Sequence, residues 1–301
     1  MIIETLSTFP DMYESVMGAS MMRIAQEKGI LDFKAHDLRD WTHDRHRTTD
    51  DEPYGGGDGL VMKCAPIFEA YESLCGAPCG GPDAVDRASG EGSADAAGQM
   101  PGDSSAAAQT PGEGSDSAAV EQALSAASAA ADQAASKPYT IFLAPQGRRF
   151  DDACACERAK QDRLLFICGH YEGIDERAYT LADEVISLGD YVLTSGELAS
   201  MVVIDAVVRK LPGVLGAETG ALGESFADGL LEYPQYTRPA NFNGMEVPAV
   251  LLSGNHGAVD RWRREQSLER TYRLRPDLLE GMELPDADRA FLQSLSTEEQ
   301  Q

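Results

Sequence analysis

Carboxylates, arginines and glycines concentrate in two loops that follow apolar runs of strand length. Gly169–Arg177 contains three carboxylates and one arginine, and Gly189–Glu197 contains two further carboxylates. Loops at the carboxyl ends of parallel strands are where ligands usually bind in α/β proteins. A second interpretation is that such carboxylates cap the following helices, as Glu197 would near a helix start. Two acid-bearing glycine loops in succession favour a binding site.

A polar segment and a glycine-rich loop lie nearer the N-terminus. His43–Asp51 holds two histidines, two arginines and three aspartates. Metal ligation by His43, Asp44 and His46 is one interpretation, but metal sites usually take ligands from several elements. A polar substrate loop is favoured, because its arginines suit phosphate. Pro53–Gly59 lacks the Lys and Ser/Thr of a Walker A loop, so its three consecutive glycines indicate either unusual dihedrals and close ligand approach or a plain flexible loop.

A basic segment with aromatic residues lies near the C-terminus. Arg261–Pro276 has helical character and includes Trp262 and Tyr272 among its arginines. One interpretation is a solvated helix face with Trp262 and Leu268 in the core. The other is contact with a nucleic-acid phosphate backbone, supported by the aromatic side chains. The residues alone leave both open.

The elements that would position these loops alternate between strands and helices. Thr140–Ala144, Leu164–Cys168 and Val185–Leu188 are apolar runs of strand length, and each is followed at once by a segment containing glycine. Pro10–Lys28 and Leu198–Lys210 have the apolar spacing of helices. Strands separated by helical stretches predict an α/β fold with a mostly parallel sheet.

The 301 residues divide by composition. Residues 78–136 have no aromatic residue and carry nine acidic residues against one basic residue, which predicts a disordered low-complexity insertion. Residues 216–223 contain three glycines and are predicted to form a linker. The predicted domains are therefore 1–215, which includes the insertion, and a small helical domain over 224–301.

The overall composition excludes several classes of protein. The net charge of −25 argues against binding nucleic acid through bulk charge, although a local basic site is compatible with it. No apolar stretch is long enough to span a bilayer, and the first residues lack the pattern of a secretory signal. None of the six cysteines forms a C-x-x-C pair, so a zinc ribbon is not supported. These features predict a cytoplasmic protein.

Together, eight stretches carry a resemblance to a known family. They are Thr42–Thr48, Asp51–Gly57, Pro145–Arg148, Cys168–Arg177, Gly189–Leu193, Ser225–Gly229, Tyr236–Pro239 and Val250–His256. In these stretches and in their order, the chain resembles the bacterial tRNA (guanine-N1)-methyltransferases, which belong to the knotted SPOUT class. The resemblance covers nearly the whole chain except residues 78–136.

The resemblance implies an α/β domain with a trefoil knot, which the apolar pattern does not predict and which general rules of topology disfavour. It also implies an obligate homodimer with shared active sites and a C-terminal domain that binds tRNA. The implied reaction is methylation of guanine N1 at tRNA position 37, directly 3′ of the anticodon. S-adenosyl-L-methionine is the implied cofactor, and Mg²⁺ is a candidate assistant.

The resemblance also implies site residues. Those expected at the cofactor are Leu143, Pro145, Gln146, Gly169, Glu172, Leu188, Gly189, Asp190, Tyr191, Val192, Leu193 and Gly196. Guanine N1 carries a proton that a base must take, and charge then spreads to O6, where a cation stabilises it. The implied cation is Arg209. The implied base is Glu224, where the family has aspartate, and Asp228 is a nearby alternative.

Two other functions stay open at this point. A non-catalytic RNA-binding homologue is favoured by Glu224 in place of aspartate, whereas the retained cofactor loops and Arg209 count against it. Metal-dependent phosphate chemistry at His43–Asp51 is the third reading, although the sequence holds no recognisable all-protein metal cage.

Overall fold

The structure is a computed structural model that describes residues 1–76, 137–216 and 223–298. The predicted insertion over 78–136 lies outside the described residues, and so do residues 217–222 of the predicted linker over 216–223. The chain divides into two compact units. The first unit comprises Met1–Phe150 and Lys160–Asp205, and the second comprises Asp151–Ala159 and Ala206–Gln301.

A parallel sheet of five strands forms the centre of the first unit. The strands of the described chain are β1 (Ile2–Ser7), β2 (Asp32–Asp37), β3 (Asp50–Asp51), β4 (Val61–Met62), β5 (Tyr139–Arg149), β6 (Arg163–Ile167), β7 (Glu184–Ser187), β8 (Asn241–Phe242) and β9 (Met245–Glu246). The sheet order is β2-β1-β6-β5-β7, and every pair in it is parallel. β6 lies in the middle, and all five of its residues are buried, as expected for a strand covered on both faces. The predicted α/β fold with a mostly parallel sheet is confirmed.

The helices follow the predicted apolar spacing with one correction. They are α1 (Glu14–Met17), α2 (Ser20–Glu27), α3 (Cys64–Cys75), α4 (Asp152–Arg158), α5 (Gly196–Val208), α6 (His256–Leu274) and α7 (Asp286–Glu298). The prediction of one helix over Pro10–Lys28 is wrong. Helix α1 ends at Met17 with Gly18 as its C-cap, and Ala19 is extended with φ −119° and ψ 156° before α2 begins. Glycine is a poor helix former, and the apolar spacing continues across the break without revealing it.

Packing of α3 against the sheet holds the strand ends in place. Leu165 and Ile167 of β6 share one buried cluster with Phe142 of β5 and with Ile67 and Tyr71 of α3. Side chains alternate between the two faces of a strand, so the residues between them on β6 bury against the opposite face. The carboxyl ends of β5, β6 and β7 therefore meet at one edge of the sheet, where the predicted loops begin.

A buried ion cluster joins three strands of the sheet. Glu4 of β1 accepts hydrogen bonds from His36 of β2 at 2.9 Å and from Arg163 of β6 at 2.7 Å. Burial alone would raise the pKa of the Glu4 carboxyl, but the bonds from His36 and Arg163 outweigh it and hold that pKa below its ordinary value. The cluster thus provides hydrogen-bond partners for the Glu4 carboxylate, which is almost wholly removed from water.

Candidate active site

Three loops begin at the carboxyl ends of β5, β6 and β7, and the first of them is a bulge within β5. Leu143 and Arg148 both pair with Ile186 of β7, so the four residues between them leave the ladder. Gly147 ends this excursion, and a Cβ built there would lie 2.6 Å from backbone atoms of Ile186. Only glycine fits so close to the neighbouring strand. The bulge therefore carries Pro145 out of the sheet and returns the chain to it within four residues.

One cavity of about 360 Å³ lies between the three loops of the first unit. Eleven of the twelve residues expected at the cofactor line it, namely Leu143, Pro145, Gln146, Gly169, Glu172, Leu188, Gly189, Tyr191, Val192, Leu193 and Gly196. The twelfth, Asp190, is exposed to solvent and is not among the lining residues. The cavity has the size of a small-molecule site.

Gly196 draws two of the loops together. Its backbone N–H donates to the carbonyl oxygen of Gly169 at 2.7 Å. A Cβ added to Gly196 would lie 2.7 Å from the backbone nitrogen of Gly169 and 3.0 Å from Cα of Cys168. The loop after β6 and the start of α5 thus touch through their backbones, and this contact forms one wall of the cavity.

Polar side chains that the sequence did not assign lie at this wall. His170 and Ser195 line the cavity. Glu197 is wholly buried, and its Oε1 accepts a 2.5 Å hydrogen bond from the hydroxyl of Ser7. Its Oε2 lies 3.9 Å from Nδ1 of His170, and Nδ1, Oε2 and the Ser195 hydroxyl are buried without a partner in the described structure. The carboxylate of Glu197 therefore ties the end of β1 to α5, which differs from the helix-capping role considered above.

A second buried polar group lies beside it. The Tyr13 hydroxyl hydrogen bonds with the Ser200 hydroxyl at 2.6 Å and with Sγ of Cys168 at 3.1 Å. Burial and the nearby charge of Glu197 raise the pKa of the Cys168 thiol to about 12. Cys168 is therefore a neutral structural thiol behind the cavity.

The glycine-rich loop lies against the same cavity. Gly55, Gly56 and Gly57 have φ of +91°, +74° and +143°, so the loop adopts the unusual dihedrals that its glycines indicated. A Cβ added to Gly59 would lie 2.4 Å from the side chain of Glu172. A loop expected to contact substrate and a residue expected at the cofactor are therefore neighbours.

The polar segment before that loop is held by its own hydrogen bonds. The Asp44 carboxylate accepts from the backbone N–H groups of His46 at 3.0 Å and Thr48 at 2.9 Å. His43 lies 2.9 Å from the carboxylate of Glu69. Within the described residues, no three His, Cys, Asp or Glu side chains form a group that could hold a metal ion. The segment thus lacks the ligand set that the metal interpretation needs.

The two residues expected to carry out the chemistry are in contact in the second unit. Nη2 of Arg209 donates to Oε1 of Glu224 at 2.6 Å, and both side chains are partly exposed. The alternative base, Asp228, is instead bonded to Arg264 at 2.6 Å. Arg264 also bonds to Asp288 at 2.8 Å, so Asp228 belongs to an ion cluster that joins α6 to α7.

Comparison with known proteins decides the family. A family model described as "tRNA (Guanine-1)-methyltransferase TrmD" matches residues 1–86 and 105–281. The chain is 43% identical over 300 residues to a tRNA (guanine-N(1)-)-methyltransferase of Moorella thermoacetica, covering 99% of this chain and 98% of the relative. It is also 43% identical over 299 residues to that of Geobacter sulfurreducens, covering 99% of both chains. The chain belongs to the tRNA (guanine-1)-methyltransferase family.

Membership of the tRNA (guanine-1)-methyltransferase family identifies the chain as an enzyme and counts against the non-catalytic RNA-binding alternative. A methyltransferase needs a site for its methyl donor, and the cavity after β5, β6 and β7 is the candidate. No helix in the described parts of the chain has both the length and the apolarity needed to span a membrane.

Proposed function

We propose that this protein transfers a methyl group from S-adenosyl-L-methionine to guanine N1 at position 37 of tRNA, directly 3′ of the anticodon. One observation carries the proposal. The cofactor residues expected from the resemblance converge, with the exception of Asp190, on one cavity, in a chain 43% identical over almost its full length to enzymes of that name. We also propose that the protein acts in the cytoplasm, because its substrate is tRNA.

The lining of the cavity fits this cofactor. Leu143 and Tyr191 supply apolar surface for the faces of an adenine ring, and the glycines at 169 and 196 let the backbone approach its polar rim closely. The buried Ser195 hydroxyl has no partner in the described structure and is available to a bound ligand. S-adenosyl-L-methionine supplies the methyl group in activated form on its sulfonium. The residues around it bind it, orient it and exclude water.

Arg209 and Glu224 are the proposed catalytic pair. The Glu224 carboxylate takes the proton from guanine N1, and Arg209 donates to O6, where negative charge develops. The 2.6 Å bond between them occupies one donor of the guanidinium, which has five N–H donors in all. Arg209 can therefore hold the base in position and also bond to O6. The side chain of glutamate, one methylene longer than the family's aspartate, reaches Arg209 in this chain.

The bond between Asp228 and Arg264 supports Glu224 over Asp228 as the base. A carboxylate held by Arg264, which itself spans to Asp288, is committed to the packing of α6 on α7. Glu224 bonds instead to Arg209, the residue proposed to donate to guanine O6.

Exposed apolar side chains support an obligate homodimer with shared active sites. Val192 in the loop after β7 is 84% exposed, and Val202 on the apolar helix α5 is 53% exposed. A second copy that covered them would remove this surface from water.

We further propose the trefoil knot implied by the resemblance, with the three cavity loops as its parts. Any Mg²⁺ would enter with substrate, because the described residues hold no dedicated cage.

The tRNA would contact two surfaces. His43–Asp51 and the adjoining glycine-rich loop would meet the target nucleotide, because Gly59 lies against Glu172 at the cavity. The helical domain over 224–301 would hold the anticodon arm through the arginines of its segment Arg261–Arg275.

Methyl transfer from labelled S-adenosyl-L-methionine to unmodified tRNA transcripts tests the function directly. We expect incorporation with guanosine at position 37 and none when that position is adenosine. Arg209→Ala should bind the cofactor normally and lose most transfer. Arg289→Ala is the matched control, because Arg289 pairs only with Asp286 at the surface of α7 among the described residues. Normal turnover by Arg209→Ala would remove Arg209 from the mechanism, and transfer independent of position 37 would overturn the proposed target.

A further inference from the structure

The second unit contains a pocket that the reaction does not use. It has a volume of about 300 Å³ and lies between the loop after residue 232 and the N-terminal half of α6. Its walls include Tyr233 and Tyr236 from the loop and His256, Trp262 and Arg263 from the helix. Three aromatic rings and two groups able to carry positive charge thus face one small space.

The rings of Tyr236 and Trp262 do not cover each other's faces. The centroids of Tyr236 and Trp262 are 6.3 Å apart, with an angle of 51° between the ring planes, so the two rings are not stacked on each other. Tyr236 is 49% exposed. The guanidinium of Arg263 lies over the ring of Tyr233, 4.9 Å from its centroid. Aromatic faces and planar guanidinium groups are the surfaces on which proteins stack unpaired RNA bases.

Charge at the pocket favours an anionic partner. No described residue that lines it is acidic, in a chain with 50 Asp and Glu against 25 Lys and Arg. Arg238 and Arg261 lie within two residues of its aromatic side chains in sequence, and neither has an ion-pair partner within the described parts of the chain. Arg264 and Arg275, on the same helix and at its end, are instead bonded to aspartates, and the lining residue Arg263 lies 3.8 Å from Asp260. Among the described residues, Arg238 and Arg261 therefore keep their guanidinium groups available for phosphate.

We propose that this pocket holds one unstacked nucleobase of the tRNA, different from the guanosine that is methylated, with Arg238 and Arg261 on the flanking phosphates. The proposal rests on the function proposed above, because it takes tRNA as the partner. It adds a second point of base contact, in the second unit, to the contact at the reacting guanine. Stacking is tolerant of base identity, so the pocket positions the RNA and leaves the choice of sequence to other contacts.

Binding of unmodified tRNA transcripts to the full-length protein tests the pocket without methyl transfer. Tyr236→Ala and Trp262→Ala should each weaken tRNA binding by roughly 5- to 100-fold, the range for loss of one stacked base. Trp262→Phe should recover most of the affinity, which a lost core contact would not require. Phe242→Ala is the matched control, because Phe242 is a 59% exposed aromatic residue of the same unit that does not line the pocket. Arg261→Gln should reduce the salt dependence of binding by about one ion.

A set of transcripts that each lack one base of the anticodon loop identifies the nucleotide. Removal of the base that enters the pocket should weaken binding to the wild type and cause no further loss with Tyr236→Ala. Additive losses at every position would overturn the proposal. A change of oligomeric state on sedimentation of Tyr236→Ala would also overturn it, by assigning the pocket to a second copy. If the wild type methylates tRNA while both alanine variants bind it normally, the pocket assignment fails and the proposed function stands. If the wild type fails to methylate tRNA, the proposed function fails whatever the pocket variants show.

Discussion

Gly196→Ala tests whether the contact between two loops shapes the cofactor cavity. The added Cβ would lie 2.7 Å from the backbone nitrogen of Gly169, 3.0 Å from Cα of Cys168 and 3.1 Å from the Gly169 carbonyl oxygen. None of these backbone atoms can move aside alone, so the loops must separate. Overpacking of this kind costs about 1–3 kcal/mol, and the 2.7 Å bond between the two loops contributes about 1 kcal/mol. We expect a total cost of about 2–4 kcal/mol.

This cost should divide between weaker cofactor binding and lower stability of the fold. Calorimetric titration with S-adenosyl-L-methionine measures the first share, and urea unfolding without cofactor measures the second. Gly216→Ala is the matched control, because a Cβ at Gly216 meets no atom within 4 Å. If Gly196→Ala matches the wild type in both measurements to within about 0.5 kcal/mol, the ordinary error of additivity, the loop contact does not shape the cavity.

Three further predictions follow from named side chains. Glu224→Gln should slow methyl transfer by about 10²-fold or more, because an amide cannot accept the N1 proton. Asp228→Asn should mainly lower the unfolding temperature, and the reverse pattern would make Asp228 the base. The depressed pKa of Glu4 stabilises the fold above the unfolded-state value of about 4.3, and this stability is lost as pH falls through the lower folded-state pKa. Glu4→Gln should therefore reduce the loss of unfolding free energy between pH 5 and lower pH, and an unchanged acid profile would contradict the assignment. With a thiol pKa of about 12, Cys168 should resist iodoacetamide at pH 8 until the protein is unfolded, whereas the partly exposed Cys64 serves as the reactive reference in mass spectrometry.

The three strands that lead into the cavity can be predicted from the sequence because each is a short apolar run followed directly by glycine or proline. β6, for example, spans Arg163–Ile167, one residue from its predicted start and end. Turn residues mark the ends of such strands locally. β5 is the exception, because it continues to Arg149. Its second pairing with Ile186 depends on a neighbouring strand that local sequence does not reveal.

The partners of charged residues were harder to predict from the sequence than the elements on which those residues lie. The sequence places Glu197 at a helix start, where capping is the usual role, but its partner is Ser7, 190 residues earlier. Likewise, the arginines of α6 look equivalent in sequence, and only the fold separates Arg264, which joins Asp228 to Asp288, from Arg261. Such pairings are set by tertiary packing, which residue type and spacing do not encode locally.

The bond between Ser7 and Glu197 has a consequence for the time at which the site can form during synthesis. β1 pairs with β2 nearby in sequence but also with β6, at Arg163–Ile167, and Ser7 then awaits Glu197, 190 residues later. At bacterial-type synthesis rates of about 5–20 residues per second, that interval is roughly 10–40 s. During it the apolar face of the first strand has no complete cover, and contacts between distant segments are slow to form. The first strand of the nascent chain therefore cannot complete its hydrogen bonds until the helix after the last strand of the sheet has been synthesised.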